Sequence, residues 1–174
     1  MLAGLALASG LPACALAASQ AAAALIARAA IFGNPERAGA QVSPDGKYIS
    51  FLAPRDGVMN VWVVERGKPL AEARPLTSEK VRPIRIYYWA ANGGDIIYSQ
   101  DKDGDENYLL YAVNVASGTE RKLTDFKGVR VVVYGSSWKR PNELLVGINE
   151  RDKAFHDPYL LNVRTGEIKK LFDN

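Results

Sequence analysis

The chain has 174 residues with 22 Lys+Arg against 19 Asp+Glu and a formal net charge of +3, one domain's worth of length without the basic excess of a dedicated nucleic-acid binder. One His and one Cys leave little room for metal or redox chemistry. The first 27 positions carry no charged side chain, so all ionisable groups fall on residues 28–174, a polar, aromatic-bearing stretch with the composition of a globular, turn-rich body.

Residues 1–24 have the pattern of a secretory signal peptide. An apolar run through Leu2, Leu5, Leu7 and Leu11 gives way to small residues, with Ala15-Leu16-Ala17 as the cleavage motif, although the basic start of such signals is missing. The run is shorter than the roughly 20 residues of a spanning helix, so no membrane span is expected once the signal is removed. The expected location is exported, periplasmic or secreted. Cys14 lies within the signal and leaves with it, so no disulfide is expected in the mature chain.

From residue 37 onward, short β-branched or aromatic runs alternate with turn residues, the signature of strands. The first group has the turn Ser43-Pro44-Asp45-Gly46 and strands at 48–53 and 60–64. The second has strands at 85–89, 96–100, 108–114 and 121–124, with turns at Asn92-Gly93-Gly94-Asp95 and Ser117-Gly118 and an acidic loop between its middle strands. The third has the turn Lys139-Arg140-Pro141-Asn142 and strands at 143–148 and 159–163.

These groups are copies of one unit. The ten residues 114–123 align without a gap on 162–171 with five identities, Leu76 lies 47 residues before Leu123, and Phe51, Tyr98 and Val146 keep a spacing of 47 to 48. Four antiparallel strands per repeat of this length predict an all-β chain of β-propeller blades, roughly 37–80, 81–128 and 129–174, within a partial propeller over 31–174. Trp62, Tyr111 and Tyr159 fall at equivalent points of the third strand and are expected to pack between neighbouring blades. Known propellers close with about four to eight blades. Three blades leave two apolar faces open, which predicts association with copies or partners, or a longer natural protein. Residues 169–174 stop where a further blade would begin, which favours the longer protein.

Phe32-Gly33-Asn34-Pro35-Glu36-Arg37, Val42-Ser43-Pro44-Asp45-Gly46-Lys47-Tyr48-Ile49-Ser50-Phe51, Asn60-Val61-Trp62-Val63, Pro75-Leu76-Thr77 and Asp101-Lys102-Asp103-Gly104-Asp105-Glu106-Asn107 stand in that order. This set resembles the start of exported bacterial prolyl oligopeptidase family serine peptidases of the dipeptidyl aminopeptidase and acylaminoacyl-peptidase type. The Ser-Pro-Asp-Gly-Lys element alone is shared with the periplasmic propellers of the Tol system. The resemblance implies an amino-terminal propeller that gates peptide access to an α/β-hydrolase domain with a Ser-Asp-His triad. It also implies a peptide substrate in the complete enzyme, and the hydrolase domain or self-association to cover the open blade faces. A free-standing propeller module for protein–protein interaction, like TolB, is the alternative.

No catalytic residue carries over. No Gly-x-Ser-x-Gly elbow occurs, and the nearest stretch, Gly135-Ser136-Ser137-Trp138, lacks the second Gly and is expected at a blade turn. His156 is expected as an exposed loop residue within 152–158, despite Asp152 and Asp157 nearby, because no strained Ser is at hand for it to activate. Asp101, Asp103, Asp105 and Glu106 alternate like calcium ligands, but the sixth and twelfth positions of an EF-hand loop hold Glu106 and Ala112 instead of Gly and Glu. They are expected to be solvated or paired with Lys102 around a turn at Gly104. Lys80, Arg82 and Arg85, with Arg28 and Arg37 elsewhere, form no long run of like charge, so nucleic-acid binding is not expected. The expected site inventory is therefore no catalytic residue, no cofactor and no metal ligand.

Overall fold

A computed structural model describes residues 25–174; the expected signal peptide and its cleavage motif lie outside them. Arg28–Phe32 forms a one-turn helix α1, closed by the Gly33 amide on the Ala29 carbonyl at 2.9 Å. No described helix is long and apolar enough to cross a membrane. A separate compact unit, Asn34–Asn174, holds all the described strands.

That unit is built from three four-stranded antiparallel meanders. The first contains β1 (Ala38–Val42), β2 (Tyr48–Arg55), β3 (Val58–Glu65) and β4 (Arg74–Pro75). The second contains β5 (Tyr87–Trp89), β6 (Asp95–Gln100), β7 (Leu109–Asn114) and β8 (Glu120–Lys122). The third contains β9 (Val131–Ser137), β10 (Arg140–Asp152), β11 (Phe155–Asn162) and β12 (Ile168–Lys170). Each sheet has the build of a propeller blade, and the repeat is visible in the register. Phe51 pairs with Trp62, Tyr98 with Tyr111 and Val146 with Tyr159, always second strand against third.

Three sequence expectations for the third blade need correction. Lys139-Arg140-Pro141-Asn142 is not a turn, because β10 begins at Arg140 and the reversal sits at Trp138-Lys139. Gly135-Ser136-Ser137 is therefore strand, and Leu144 and Leu145 of β10 pair with Ser136 and Gly135 across a bulge. His156 is half-buried on β11 instead of lying in an exposed loop. The common cause is the length of β10, which runs thirteen residues and draws flanking polar residues into the ladder. Pro at its second position costs no pairing there, since the strand end leaves its missing N–H unneeded.

Alternation along each strand gives every blade two apolar faces. One cluster unites Leu52, Val61 and Val63 of the first blade with Ile96, Tyr98 and Val113 of the second. A second unites Ile97, Leu110 and Ala112 of the second blade with Leu144, Val146 and Leu161 of the third. Tyr111 and Tyr159 pack against these clusters as expected between blades. Trp62 does not. It packs with Phe51, Ala53 and Val64 on the face of the first blade that no described blade covers, and its indole Nε1 donates to the Ala53 carbonyl at 3.0 Å.

Fully burying one such aliphatic side chain contributes about 1.5–3 kcal/mol. Leu161 is fully buried in the second cluster, where its loss leaves a cavity between two stiff sheets. Leu161→Ala is expected to lower the unfolding free energy by about 2–5 kcal/mol, measured by chemical denaturation.

Candidate functional site

The blades meet through polar seams as well as apolar clusters. On the first seam Trp89 Nε1 donates to Ser50 Oγ at 2.8 Å, Ser50 Oγ lies 3.0 Å from the Tyr87 hydroxyl, and that hydroxyl donates to the Gly39 carbonyl at 2.6 Å. Gln41 Nε2 donates to the Tyr87 carbonyl at 3.0 Å. β1 and β5 thus touch directly, and burial raises the Tyr87 phenol above its ordinary pKa, keeping it a donor.

The fourth strands reach the next blade through long side chains. Arg74 on β4 donates to the Val115 carbonyl just past β7. Arg121 on β8 donates to the Val163 carbonyl just past β11 at 3.0 Å, and also pairs with the buried Asp95 at 3.0 Å. The two arginines lie one repeat apart, as do their acceptors. Direct contact at the first strands and arginine-length reach at the fourth mean that the blades splay outward. β1, β5 and β9 therefore mark the inner edge of the arc, the edge that borders a propeller's channel.

Turns and loops are held by their own carboxylates. In Ser43-Pro44-Asp45-Gly46, Asp45 accepts from Ser43 Oγ at 2.7 Å and from the Lys47 amide at 3.1 Å, and Gly46 takes φ +71°. The Ser43 bond, followed by Lys47, lowers the Asp45 pKa to about 2. In the acidic loop Asp101 is buried and takes a bidentate pair from Arg82 at 3.0 and 3.1 Å. Arg82 occupies the place expected for Lys102. Asp105 accepts from the Asn107 amide at 3.0 Å and the Lys102 amide at 3.3 Å, while Asp103 and Glu106 are exposed. The loop is tied internally, with Gly104 at φ +86° serving the reversal.

On the third blade His156 is not brought to any Ser, and its Nε2 is buried without a hydrogen-bond partner among the described residues. Its neighbour Asp157 is the centre of charge instead. The Asp157 side chain is 1% exposed and accepts from Arg151 at 2.8 and 2.9 Å, from Lys170 Nζ at 2.9 Å and from the Asn174 amide at 2.9 Å. Those bonds, Arg151 first, hold its pKa far below the ordinary 3.8. Sequence reading missed this centre because its partners come from the ends of β10 and β12 and from the segment after β12, with no shared spacing. The Arg74 and Arg121 contacts were missed as well, although the 47-residue separation of the two arginines was a signal that could have pointed to them.

The inner edge also holds a cavity of about 270 Å³ between the second and third blades. Ile86, Tyr88 and Val132 supply apolar wall, with Arg85, Tyr108 and Arg130 among the other lining residues. The Arg130 guanidinium carbon lies 5.6 Å from the Tyr108 ring centroid, a cation–π distance.

No protein-family model matches the chain. Over 142 residues it is 45% identical to dipeptidyl aminopeptidase BIII of Pseudoxanthomonas mexicana, an alignment covering 82% of this chain and 20% of that protein. The chain matches the amino-terminal propeller part of the prolyl oligopeptidase family. It spans about a fifth of the length of the curated relatives it matches, 20% and 21%. Among solved structures, oligopeptidase B from Leishmania major superposes with a TM-score of 0.55 at 18% identity, covering 78% of this chain and 19% of that one. TolB from Acinetobacter baumannii gives 0.53 at 16%, covering 81% and 33%. These likenesses establish the propeller fold, and the identity is 45% to the aminopeptidase against 16% to TolB.

The Asp157 carboxylate makes a prediction of definite sign. A carboxylate whose folded pKa is depressed contributes stability above its unfolded value, and that contribution is lost as pH falls through the folded value. The thermal midpoint of the wild type is expected to fall more steeply than that of Asp157→Asn from about pH 4 downward, with the two curves converging in acid. Parallel curves would show that the Arg151 and Lys170 bonds do not act through the charge.

Proposed function

We propose that these blades form part of the wall of an entry chamber through which short peptides reach an α/β-hydrolase domain in an exported peptidase. The observation that carries this is the 45% identity to dipeptidyl aminopeptidase BIII. The physical argument is division of labour. The 174 residues contain no nucleophile elbow, and the one histidine lies on a strand with no activated serine beside it. Hydrolysis by a triad needs nucleophile and base together, and positioning by a wall does not replace them. The chemistry is assigned to residues outside this stretch, and this chain alone is expected to be inactive.

What a wall can supply is selection. Blades locked by two apolar clusters and by the Arg74 and Arg121 bonds resist the opening that a folded protein would demand, whereas an extended peptide passes along an existing channel. The two uncovered blade faces, one carrying Trp62 and Phe51, are assigned to contact with further blades or the hydrolase domain. Export is assigned on the apolar segment 1–24.

The reading is tested by labelling native cell extracts with a fluorophosphonate probe, which reacts with activated serines, and isolating the species that contains these residues. A labelled species several times heavier than a 174-residue chain is expected. An unlabelled species of this length would overturn the peptidase reading and favour a self-associating TolB-like module.

A further inference from the structure

The two seams between blades are built from equivalent positions but are joined differently. On the first, four hydrogen bonds run along the middle of the inner strands: Trp89 to Ser50, Ser50 with Tyr87, Tyr87 to the Gly39 carbonyl and Gln41 to the Tyr87 carbonyl. The strand register carries Ser50 of this lock to Ile97 on the second seam, and Tyr87 to Val133. Those two side chains have no polar atom, and among the described residues no hydrogen bond joins β5 to β9. The same register carries Leu52, buried in the first cluster, to Ser99. Ser99 and Val133 both line the inner-edge cavity of about 270 Å³. The cavity thus lies where the second seam has a serine in place of the leucine that fills the first.

The bonds that do hold the second seam lie around this gap. The Val131 amide donates to the Tyr108 carbonyl at 2.8 Å, Asn92 Nδ2 donates to Asn142 Oδ1 at 3.0 Å, and Arg121 holds the Val163 carbonyl at the fourth strand. Between the first two points β9 carries a bulge, since Val133 pairs with Val146 and Gly135 with Leu145, which leaves Tyr134 outside the ladder. A bulge lets a strand bend, and walls that face a void have few atoms across it to hold them. Displacing β9 from β5 therefore breaks no hydrogen bond between them, whereas displacing β5 from β1 breaks the lock. We propose that the second seam is the compliant one: the middle of β9 swings away from β5 between its pinned ends, while the first and second blades move as one body. The pins and the Arg121 bond keep the blades together, so the movement changes the width of the inner edge without parting the wall. Its use, adjustment of the channel to a passing peptide, rests on the chamber reading, but the movement itself does not.

Spin labels on the full-length protein, read by double electron–electron resonance, test this directly. One pair spans the first seam, Ala40→Cys on β1 with Ala116→Cys in the turn after β7, and the other spans the second, Ala116→Cys with Tyr134→Cys on β9. All three positions are exposed, and Ala40 and Tyr134 both lie where their inner strand shifts register. The second-seam distance distribution is expected to be about twofold broader than the first, the mark of a locally less stable contact. Ser99→Leu, which restores the residue of the first seam, is expected to narrow it while leaving the first-seam distribution unchanged. Ser99→Val fills less of the cavity and serves the same comparison if the leucine variant does not fold. Equal widths across the two seams overturn the proposal. A broad second-seam distribution that neither folded variant narrows overturns its origin in the cavity. Fluorophosphonate labelling reports separately on the peptidase reading, so absence of label with a broad second seam would sink that reading alone.

Discussion

A four-stranded twisted sheet with alternating side chains cannot bury both of its faces by itself, and the rest of this structure follows from that constraint. The second blade presents residues such as Tyr98, Tyr111 and Val113 to the blade before it, and residues such as Ile97, Leu110 and Ala112 to the blade after it. The second blade has both faces covered, and Ile96 and Tyr98 on one face and Ile97 on the other are fully inaccessible. On the third blade Leu145, which lies 48 residues after Ile97, is 38% exposed, and Leu171, 48 residues after Leu123, is 42% exposed. The same positions are dry or wet according to whether a neighbour is present.

The polar bonds between blades obey the same repeat and give it direction. An arginine on the fourth strand of one blade reaches forward to the carbonyl that ends the third strand of the next, first as Arg74 to Val115 and again as Arg121 to Val163. Each carbonyl sits at a turn where no ladder partner remains, so a charged donor satisfies an acceptor that would otherwise be left to solvent. Apolar packing alone would let two faces slide. These bonds set the relative position of successive blades, and the Trp89–Ser50–Tyr87–Gly39 chain does the same near the inner edge. Lys169 stands one repeat after Arg121, a cation at the corresponding place on the third blade.

The repeat is what made the fold legible in the sequence. Spacings of 47 to 48 residues fixed the number of blades, the second- and third-strand positions and the burial of Tyr111 and Tyr159, because a repeated unit must place equivalent residues in equivalent surroundings. What spacing could not give was any feature private to one blade. The extension of β10 through Arg140, Pro141 and Asn142 contradicts local turn propensity and is set by pairing with β9 and β11. The Asp157 centre gathers Arg151 from the end of β10, Lys170 from the end of β12 and Asn174 from the segment after it, and the Arg82–Asp101 pair joins the segment before β5 to the residue after β6. Such contacts are created by the hairpin geometry, not by any motif. The inner-edge cavity was illegible for the same reason, since its lining comes from the second and third blades together.

Function divides along the same line. Residues that repeat, such as the third-strand aromatics and the fourth-strand arginines, are accounted for by assembly. Residues that do not repeat are where a specific chemistry can reside. The acidic loop and the Asp157 centre are non-repeating but internally satisfied, each buried carboxylate having its own cation, so they rigidify the blades and offer nothing to a ligand.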